Sequence, residues 1–139
     1  MRYLAITVML LPLLTGCLKN IDDNTDTKPN WVLSSNINKE FSMTYIVRVS
    51  VNKEIQPLEE GDEFAAFMGT DCRGIASIVS NDGKNCFYLL IYSNQNDSEK
   101  LSFKFYSKRK SKIFESLPYD AYFPNQMVGT LDAPFLFEF

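Results

Sequence analysis

The sequence predicts an all-β protein, an antiparallel sandwich of two sheets with seven to nine short strands. Alternating apolar and polar residues recur in short runs, and clusters of turn residues separate these runs. Beyond residue 16 no stretch has the 3.6-residue period of an amphipathic helix. Aromatic residues are 14% of the chain and charged residues 22%, a composition typical of a packed core and not of a disordered chain. We therefore expect one domain, over residues 31–139.

The most distinct element is a β-hairpin over residues 61–76, which read GDEFAAFMGTDCRGIA. Its apolar first strand ends at Gly69-Thr70, a two-residue loop that suits a type II′ turn because Gly occupies the first central position. This loop predicts the facing pairs Met68–Asp71, Phe67–Cys72, Ala65–Gly74 and Phe64–Ile75. In this register small residues face small ones and large residues face large ones, as cross-strand packing requires.

The strands around this hairpin follow from their alternation. Residues 43–52 alternate, with Met43, Tyr45, Val47, Val49 and Val51 on one face. Two strands, 72–80 and 85–92, are joined by Asp82-Gly83, a type I′ signal that sets Val79 opposite Cys86. Residues 101–107 place Leu101, Phe103 and Phe105 inward, and a strand at 135–139 carries three Phe residues on one side.

The predicted domain contains two Cys residues, Cys72 and Cys86. A disulfide between them is typical of exported proteins, but the predicted register opposes it. Cys86 faces Val79, which is seven residues along the strand from Cys72. At about 3.3 Å per residue this offset is roughly 23 Å, whereas a disulfide requires Cα atoms within about 7 Å. We therefore expect two buried, unpaired thiols.

Composition argues against several classes of function. The formal net charge of −3 does not suggest the basic surface that a nucleic-acid-binding protein needs. The chain contains no His, so it lacks the commonest general base and the commonest transition-metal ligand. Four acidic residues stand near a strand entry: Glu59, Glu60, Asp62 and Glu63. We interpret them as a solvated rim, and we expect no enzymatic activity, no cofactor and no metal.

The first residues have the form of an export signal. Arg2 precedes a short apolar run, residues 3–14, which is below the roughly 20 residues that span a bilayer. The following LTGC ends at Cys17 and resembles the bacterial lipoprotein signal, in which the Cys is lipidated and becomes the first residue. The alternative is an ordinary signal peptide with an unrelated Cys. We expect a signal peptide over 1–16, lipid on Cys17 and a polar tether over 17–30.

The central hairpin carries a family resemblance. Its pattern, GD-x-hydrophobic-AAF-x-G-x-x-CRG-x-A, is formed by Gly61, Asp62, Phe64, Phe67, Gly69, Cys72, Arg73 and Gly74 with the residues between them. It resembles a hairpin that recurs in secreted and surface proteins of Bacteroidetes. The resemblance implies an immunoglobulin-like β-sandwich and provides no catalytic residues. Asp22-Asp23, close behind Cys17, resembles the surface-export signal of Bacteroidetes lipoproteins and implies display on the cell exterior.

Aromatic residues on predicted loops are the candidate ligand site. Tyr119, Tyr122 and Phe123, together with Trp31, are expected to offer a flat surface to a sugar ring or a peptide. The alternative is that Phe123 and Trp31 cover the core, which leaves Tyr119 and Tyr122 as the exposed pair. The basic turn Lys108–Lys112 is either a solvated hairpin tip or a contact for acidic head groups or glycans.

Two functions follow from these expectations. The first is an outer-membrane lipoprotein, facing the cell exterior, that captures a glycan or a peptide beside an uptake system without catalysis. The alternative is a structural accessory subunit that packs against another protein of the membrane or cell surface and has no small-molecule ligand. In either case the membrane is a partner through the lipid anchor, and nucleic acid is not.

Overall fold

The computed structural model describes residues 25–37, 39–93, 100–119 and 122–139. Over these residues the chain forms ten β-strands and no helix, which confirms the predicted all-β class. The strands outnumber the predicted seven to nine because two of them are only two residues long. The predicted signal peptide, Cys17 and the first part of the predicted tether lie outside the described residues.

The strands form two sheets. In chain order they are β1 (Phe41–Val51), β2 (Glu54–Ile55), β3 (Glu63–Met68), β4 (Asp71–Ile75), β5 (Ser77–Asn81), β6 (Lys84–Ser93), β7 (Leu101–Ser107), β8 (Lys112–Glu115), β9 (Met127–Val128) and β10 (Phe135–Glu138). The first sheet has the order β10-β1-β6-β5, with β2 and β9 also paired to β1, and the second has the order β4-β3-β7-β8. The hairpin neighbours are antiparallel, whereas β9 and β10 run parallel to β1, which was not predicted.

The main core lies between the two sheets. All five residues predicted for the inner face of β1 belong to it, and so do the inward residues of β7. Tyr45 of β1 lies 5.2 Å from Phe103 of β7, and Phe64 of β3 lies 5.4 Å from Phe87 of β6, measured between ring centroids. Phe137 of β10 also contacts Phe103, at 4.8 Å. Each such aromatic pair stabilises the fold by about 0.5–1.5 kcal/mol beyond the area it buries.

The central hairpin has the predicted register near its turn and a different one beyond it. Phe67 faces Cys72, and Gly69 has a φ of 57°, as the first position of a type II′ turn requires. A β-bulge next to this pair then places Gly74 opposite Ala66 and not opposite Ala65. Two predicted pairs, Ala65–Gly74 and Phe64–Ile75, are therefore wrong.

The bulge has a steric reason. It turns Gly74 toward the first sheet, where a Cβ on this residue would lie 2.3 Å from the Leu90 carbonyl oxygen. Only glycine fits so close to another backbone. Ile75, the next residue, instead reaches the surface and is 39% exposed.

The chain passes from the second sheet to the first at Ala76. We predicted one continuous strand over 72–80, but β4 ends at Ile75 and β5 begins at Ser77 in the other sheet. The Ala76 N–H donates to the Phe64 carbonyl at 2.8 Å, which fixes the crossing to β3. One side of the sandwich is thereby closed, because its two edge strands are consecutive in the chain.

The β5–β6 hairpin has the predicted register. Asp82 and Gly83 have φ values of 49° and 74°, as a type I′ turn requires, and Val79 faces Cys86. Cys72 and Cys86 are both buried and unpaired. Burial raises the pKa of each thiol above its ordinary value, so both side chains behave as small apolar groups.

Residues 26–34, which we call the strap, cross the outer face of the second sheet. The strap begins beside β8, where the Asp26 N–H donates to the Ser111 carbonyl at 2.7 Å. The Asp26 carboxylate accepts from the Ile113 N–H at 2.8 Å. Contact with the domain therefore starts within the segment that was predicted as a tether.

The rest of the strap reaches the opposite edge of the same sheet. Lys28 pairs with Glu63 at the start of β3, with 3.1 Å between the ammonium nitrogen and a carboxylate oxygen. The Ser34 N–H donates to the Cys72 carbonyl of β4 at 3.0 Å. These contacts cover much of the outer face of the second sheet.

Candidate binding groove

Trp31 lies in the strap and packs on the outer face of the second sheet. Its ring centroid is 5.9 Å from that of Phe67, in an edge-to-face arrangement. Together with Phe67 it covers a small buried cluster that includes Ala65 and Cys72. Trp31 thus has a covering role, but over this second cluster and not over the main core.

Tyr119 lies on the opposite, inner side of that sheet. Its ring packs 5.8 Å from Phe103 and 6.5 Å from Phe137. Its hydroxyl shares a hydrogen bond with Tyr45, and burial raises the pKa of both phenols. The fold therefore does not bring Tyr119 and Trp31 to one surface.

Tyr122 and Phe123 have the reverse of the exposures in the alternative arrangement, in which Phe123 covers the core and Tyr122 is exposed. Tyr122 is partly buried against the main core, and its hydroxyl donates to the Ser93 carbonyl at 3.5 Å. Phe123 is 50% exposed, and its N–H points to the Met43 sulfur at 3.3 Å. Tyr122 can be buried because its hydroxyl finds a backbone acceptor. The alternative assignment of Tyr122 as exposed and Phe123 as a core cover is corrected accordingly.

A groove opens on the side of the sandwich opposite the Ala76 crossing. Its edge strands, β8 and β10, belong to different sheets, and a cavity of about 590 Å³ lies beside them. This edge groove is lined by Glu115, Ser116, Leu117, Tyr119 and residues 135–139. Of the four predicted ligand residues, Tyr119 lines it.

Much of the edge groove is apolar and accessible. Leu117 is 86% exposed, and Phe135 and Leu136 are 46% and 45% exposed. Phe137 and Phe139 lie deeper, with ring centroids 4.9 Å apart. The sequence pointed to β10 but not to these exposed side chains. The one signal present was the apolar Leu136, which breaks the alternation of its strand.

β10 presents backbone hydrogen-bonding groups to the open edge. The Phe139 N–H donates to the Ser50 carbonyl, and the Phe139 carbonyl accepts from the Asn52 N–H. Because backbone groups alternate in direction along a strand, those of Leu136 and Glu138 point away from β1. Within the described residues no strand pairs with this edge.

The facing edge of β8 is less accessible. The strap occupies it at Ser111 and Ile113 through the two hydrogen bonds of Asp26. Next along β8, the Glu115 carboxylate pairs with Lys104 at 2.7 Å. β10 is therefore the freer edge of the two.

Asp62 departs from the predicted solvated rim of acids. It is 7% exposed, and its carboxylate accepts from the N–H groups of Glu59 and Lys108 at 2.9 and 2.8 Å. It joins the loop before β3 to the turn after β7. Asp62 therefore has a structural role at the start of the hairpin motif.

No group of three His, Cys, Asp or Glu side chains in the described part of the chain is arranged to hold a metal ion. None of the described segments forms a helix long and apolar enough to cross a membrane. Comparison with known protein families, curated proteins and solved structures finds no match for this chain. The functional interpretation therefore depends on the geometry of the edge groove.

Proposed function

We propose that this protein is a non-catalytic binding module that holds an extended peptide in the edge groove. The observation that carries the proposal is the open edge of β10 beside an exposed apolar surface. A peptide strand added to β10 gains backbone hydrogen bonds to Leu136 and Glu138, while alternate side chains enter the groove. Such strand addition combines affinity from the backbone with selectivity from the side chains.

A peptide suits this groove better than a glycan. The polar side chains of its lining are few: Glu115, Ser116, Glu138 and Tyr119, whose hydroxyl is hydrogen-bonded to Tyr45. A sugar ring stacked on the Phe side chains of the groove would find few hydrogen-bond partners for its hydroxyls in this lining. The carboxylate of Glu138 on the exposed rim favours a peptide that carries Lys or Arg next to its apolar residues.

The lipid anchor is part of the same proposal. The signal that ends at Cys17 and the resemblance of the hairpin to Bacteroidetes surface proteins support a lipid-anchored protein of the outer membrane, facing the exterior. An anchor with more than one acyl chain holds a protein stably, whereas a single chain is marginal. A groove on the cell exterior is accessible to peptides before their uptake.

One observation favours an accessory subunit of a surface assembly as the second candidate. Leu117 is 86% exposed beside the groove, and a large exposed apolar surface is typical of a contact with another protein. The strand that pairs with β10 would then belong to a permanent partner. Such a partner co-purifies in stoichiometric amount from detergent-solubilised membrane, whereas peptide capture requires none.

Selection from a library of random dodecapeptides tests the proposed function. We expect the selected peptides to alternate apolar residues and to contain Lys or Arg. Leu117→Asp and Phe135→Ala should each reduce the binding free energy of the selected peptides by roughly 1–2 kcal/mol, as expected for anchor contacts. Ile55→Ala is the matched control, because Ile55 is 47% exposed in β2 and does not line the groove.

N-methylation of each position of a selected peptide tests the strand pairing itself. Methylation removes the N–H, so binding should fall at every second position and persist at the positions between. Binding that tolerates N-methylation everywhere contradicts pairing with β10. Glycan-array hits that depend on Leu117 and Phe135, with no selected peptide, would favour a sugar ligand instead.

A further inference from the structure

The turn between β7 and β8 is the place where the strap meets the domain. Asp26 is hydrogen-bonded to Ser111 and Ile113 there, so the chain that leads back to Cys17 departs from this turn. β7 extends from Leu101 to Ser107, which puts the turn at one end of the sandwich and Lys100 at the other. The point from which the chain leads back to Cys17 is therefore at the end of the sandwich that carries the turn.

This turn is rich in exposed basic side chains: Lys108, Arg109, Lys110 and Lys112. The ammonium groups of Lys110 and Lys112 each lie 5.8 Å from the Phe114 ring centroid, and neither has an ion pair within the described residues. The Lys108 ammonium donates to the Glu60 backbone carbonyl at 3.1 Å, which leaves its charge uncompensated by that contact.

Four carboxylates lie beside the turn. Glu59 pairs with Arg109 at 3.4 Å, and the side chain of Glu60 is exposed. The Asp26 and Asp62 carboxylates accept from backbone N–H groups, and Asp62 is only 7% exposed. The basic groups that face solvent without an ion pair in the described residues are therefore the three lysines of the turn.

We infer that this basic turn docks on the anionic phospholipid head groups of the membrane that holds the lipid anchor. The inference rests on the lipidation of Cys17 in the proposed function. It adds an orientation to that function, with the β7–β8 turn toward the membrane and the β3–β4 turn away from it.

The length of the link to the anchor supports this orientation. Asp26 is nine positions after Cys17, and a fully extended chain of that length reaches about 30 Å. The short link gives the turn a high effective concentration at the surface, so a weak attraction is sufficient for docking.

Amine footprinting of the lipidated full chain in vesicles tests this inference. One set of vesicles contains phosphatidylcholine alone, and the other also contains phosphatidylglycerol. We expect Lys108, Lys110 and Lys112 to react several-fold more slowly in the second set, while Lys100 reacts equally in both. The protection should disappear at about 1 M salt, where the Debye length falls to about 3 Å.

A pair of charge variants separates recognition of charge from mere proximity. Lys110→Gln with Lys112→Gln should reduce the ratio of docked to undocked protein roughly tenfold or more, since each basic residue near an anionic surface contributes about fivefold. The protection of Lys108 should fall accordingly. Lys39→Gln with Lys100→Gln changes the net charge equally at the other end of the sandwich and should have no effect.

Equal reactivity of the turn lysines in both kinds of vesicle would overturn the inference. So would protection that is unchanged in the Lys110→Gln, Lys112→Gln variant. The acyl mass on Cys17 is measured on the same sample, and its absence would contradict both the anchor and the docking. Failure of the peptide selection, in contrast, would remove the groove function and leave the docking intact.

Discussion

Gly74 allows the two sheets to approach each other beside the Ala76 crossing. A Cβ on this residue would lie 2.3 Å from the Leu90 carbonyl oxygen and 2.9 Å from a Leu89 methyl carbon. A side chain can rotate away from such a contact, but the backbone of β6 cannot. The glycine of the Cys72-Arg73-Gly74 motif is therefore explained by the closeness of another strand and not by a turn.

The Gly74→Ala substitution should lower the free energy of unfolding by about 1–3 kcal/mol, the usual range for overpacking. Guanidinium denaturation of the wild type and the variant measures this difference. Ser77→Ala is the control, because Ser77 is the exposed first residue of β5. This substitution should change stability by less than about 0.5 kcal/mol. Equal stability of Gly74→Ala and wild type would show that β4 can move away from β6.

The sequence predicts conformation correctly where a residue and its immediate neighbours determine it. Asp82 and Gly83 adopt the positive φ values that their dipeptide predicts, because a two-residue turn depends on its own backbone preferences. The bulge that changes the cross-strand partner of Gly74 depends on the distance between the two sheets. No neighbouring residue in the sequence encodes that distance. The exposures of Tyr122 and Phe123 depend likewise on distant partners, Ser93 and the core.

The strap is an element that the sequence did not separate from the tether. Its polar composition indicates a linker, yet Asp26 makes two hydrogen bonds to the β7–β8 hairpin. A polar segment can pack on a sheet when its side chains complete the hydrogen bonding of an edge strand. Such pairing leaves no hydrophobic period for sequence analysis to detect.

Asp26→Ala should destabilise the domain by about 1–2 kcal/mol, since it removes a hydrogen bond to a charged acceptor. Thermal unfolding measures the loss of stability. Thr27→Ala is the control, because Thr27 is an exposed neighbour and its replacement should change the stability little. The more specific readout is hydrogen exchange at Ile113, whose N–H loses its acceptor. An Ile113 amide that exchanges at the wild-type rate in the variant would contradict the contact.

Parallel pairing of β9 and β10 with β1 was the main feature of the sheets that escaped prediction. Alternation shows which face of a strand is buried, but it does not show which strand lies beside it. The hairpins were predictable because their partners are adjacent in the chain. Val47 and Phe135, in contrast, are far apart in the sequence, and only the complete fold makes them neighbours.

Four acidic groups make the stability of the whole molecule depend on alkaline pH: three are buried, and the fourth, Tyr119, is 37% exposed, so its contribution is the smallest. Burial is the first cause that raises the pKa values of Cys72 and Cys86, and of Tyr45 and Tyr119. In the unfolded chain the thiols and phenols ionise near their ordinary values of 9.0 and 10.0. Above these values the unfolded state binds fewer protons than the folded state, so stability decreases as pH rises.

We expect the free energy of unfolding to be nearly constant up to about pH 8 and to fall above about pH 9. Urea denaturation between neutral pH and about pH 11 measures this profile. Tyr119→Phe keeps the ring and removes one phenol, so its profile should fall less steeply than wild type above about pH 10. A wild-type stability that stays level or rises over the alkaline range contradicts the burial of these groups.

The edge groove is a property of the whole sandwich. One pair of edge strands is joined through Ala76, whereas β8 and β10 are not consecutive in the chain and the edge groove lies beside them. Tyr119 could be selected from the sequence as an aromatic residue on a loop. Leu117 and Phe135 could not, because their exposure depends on the order of strands in both sheets.

The parallel pairing of β10 also determines when the protein can finish folding. Synthesis proceeds from the N-terminus, so β1, β3 and β7 exist well before the strand that pairs with β1 at Val47 and Val49. Until β10 arrives, Phe64 and Phe103 lack their contacts with Phe137. All-β domains with such distant pairing fold in about milliseconds to seconds. A chain that stops before Phe135 therefore lacks the strand that completes the core.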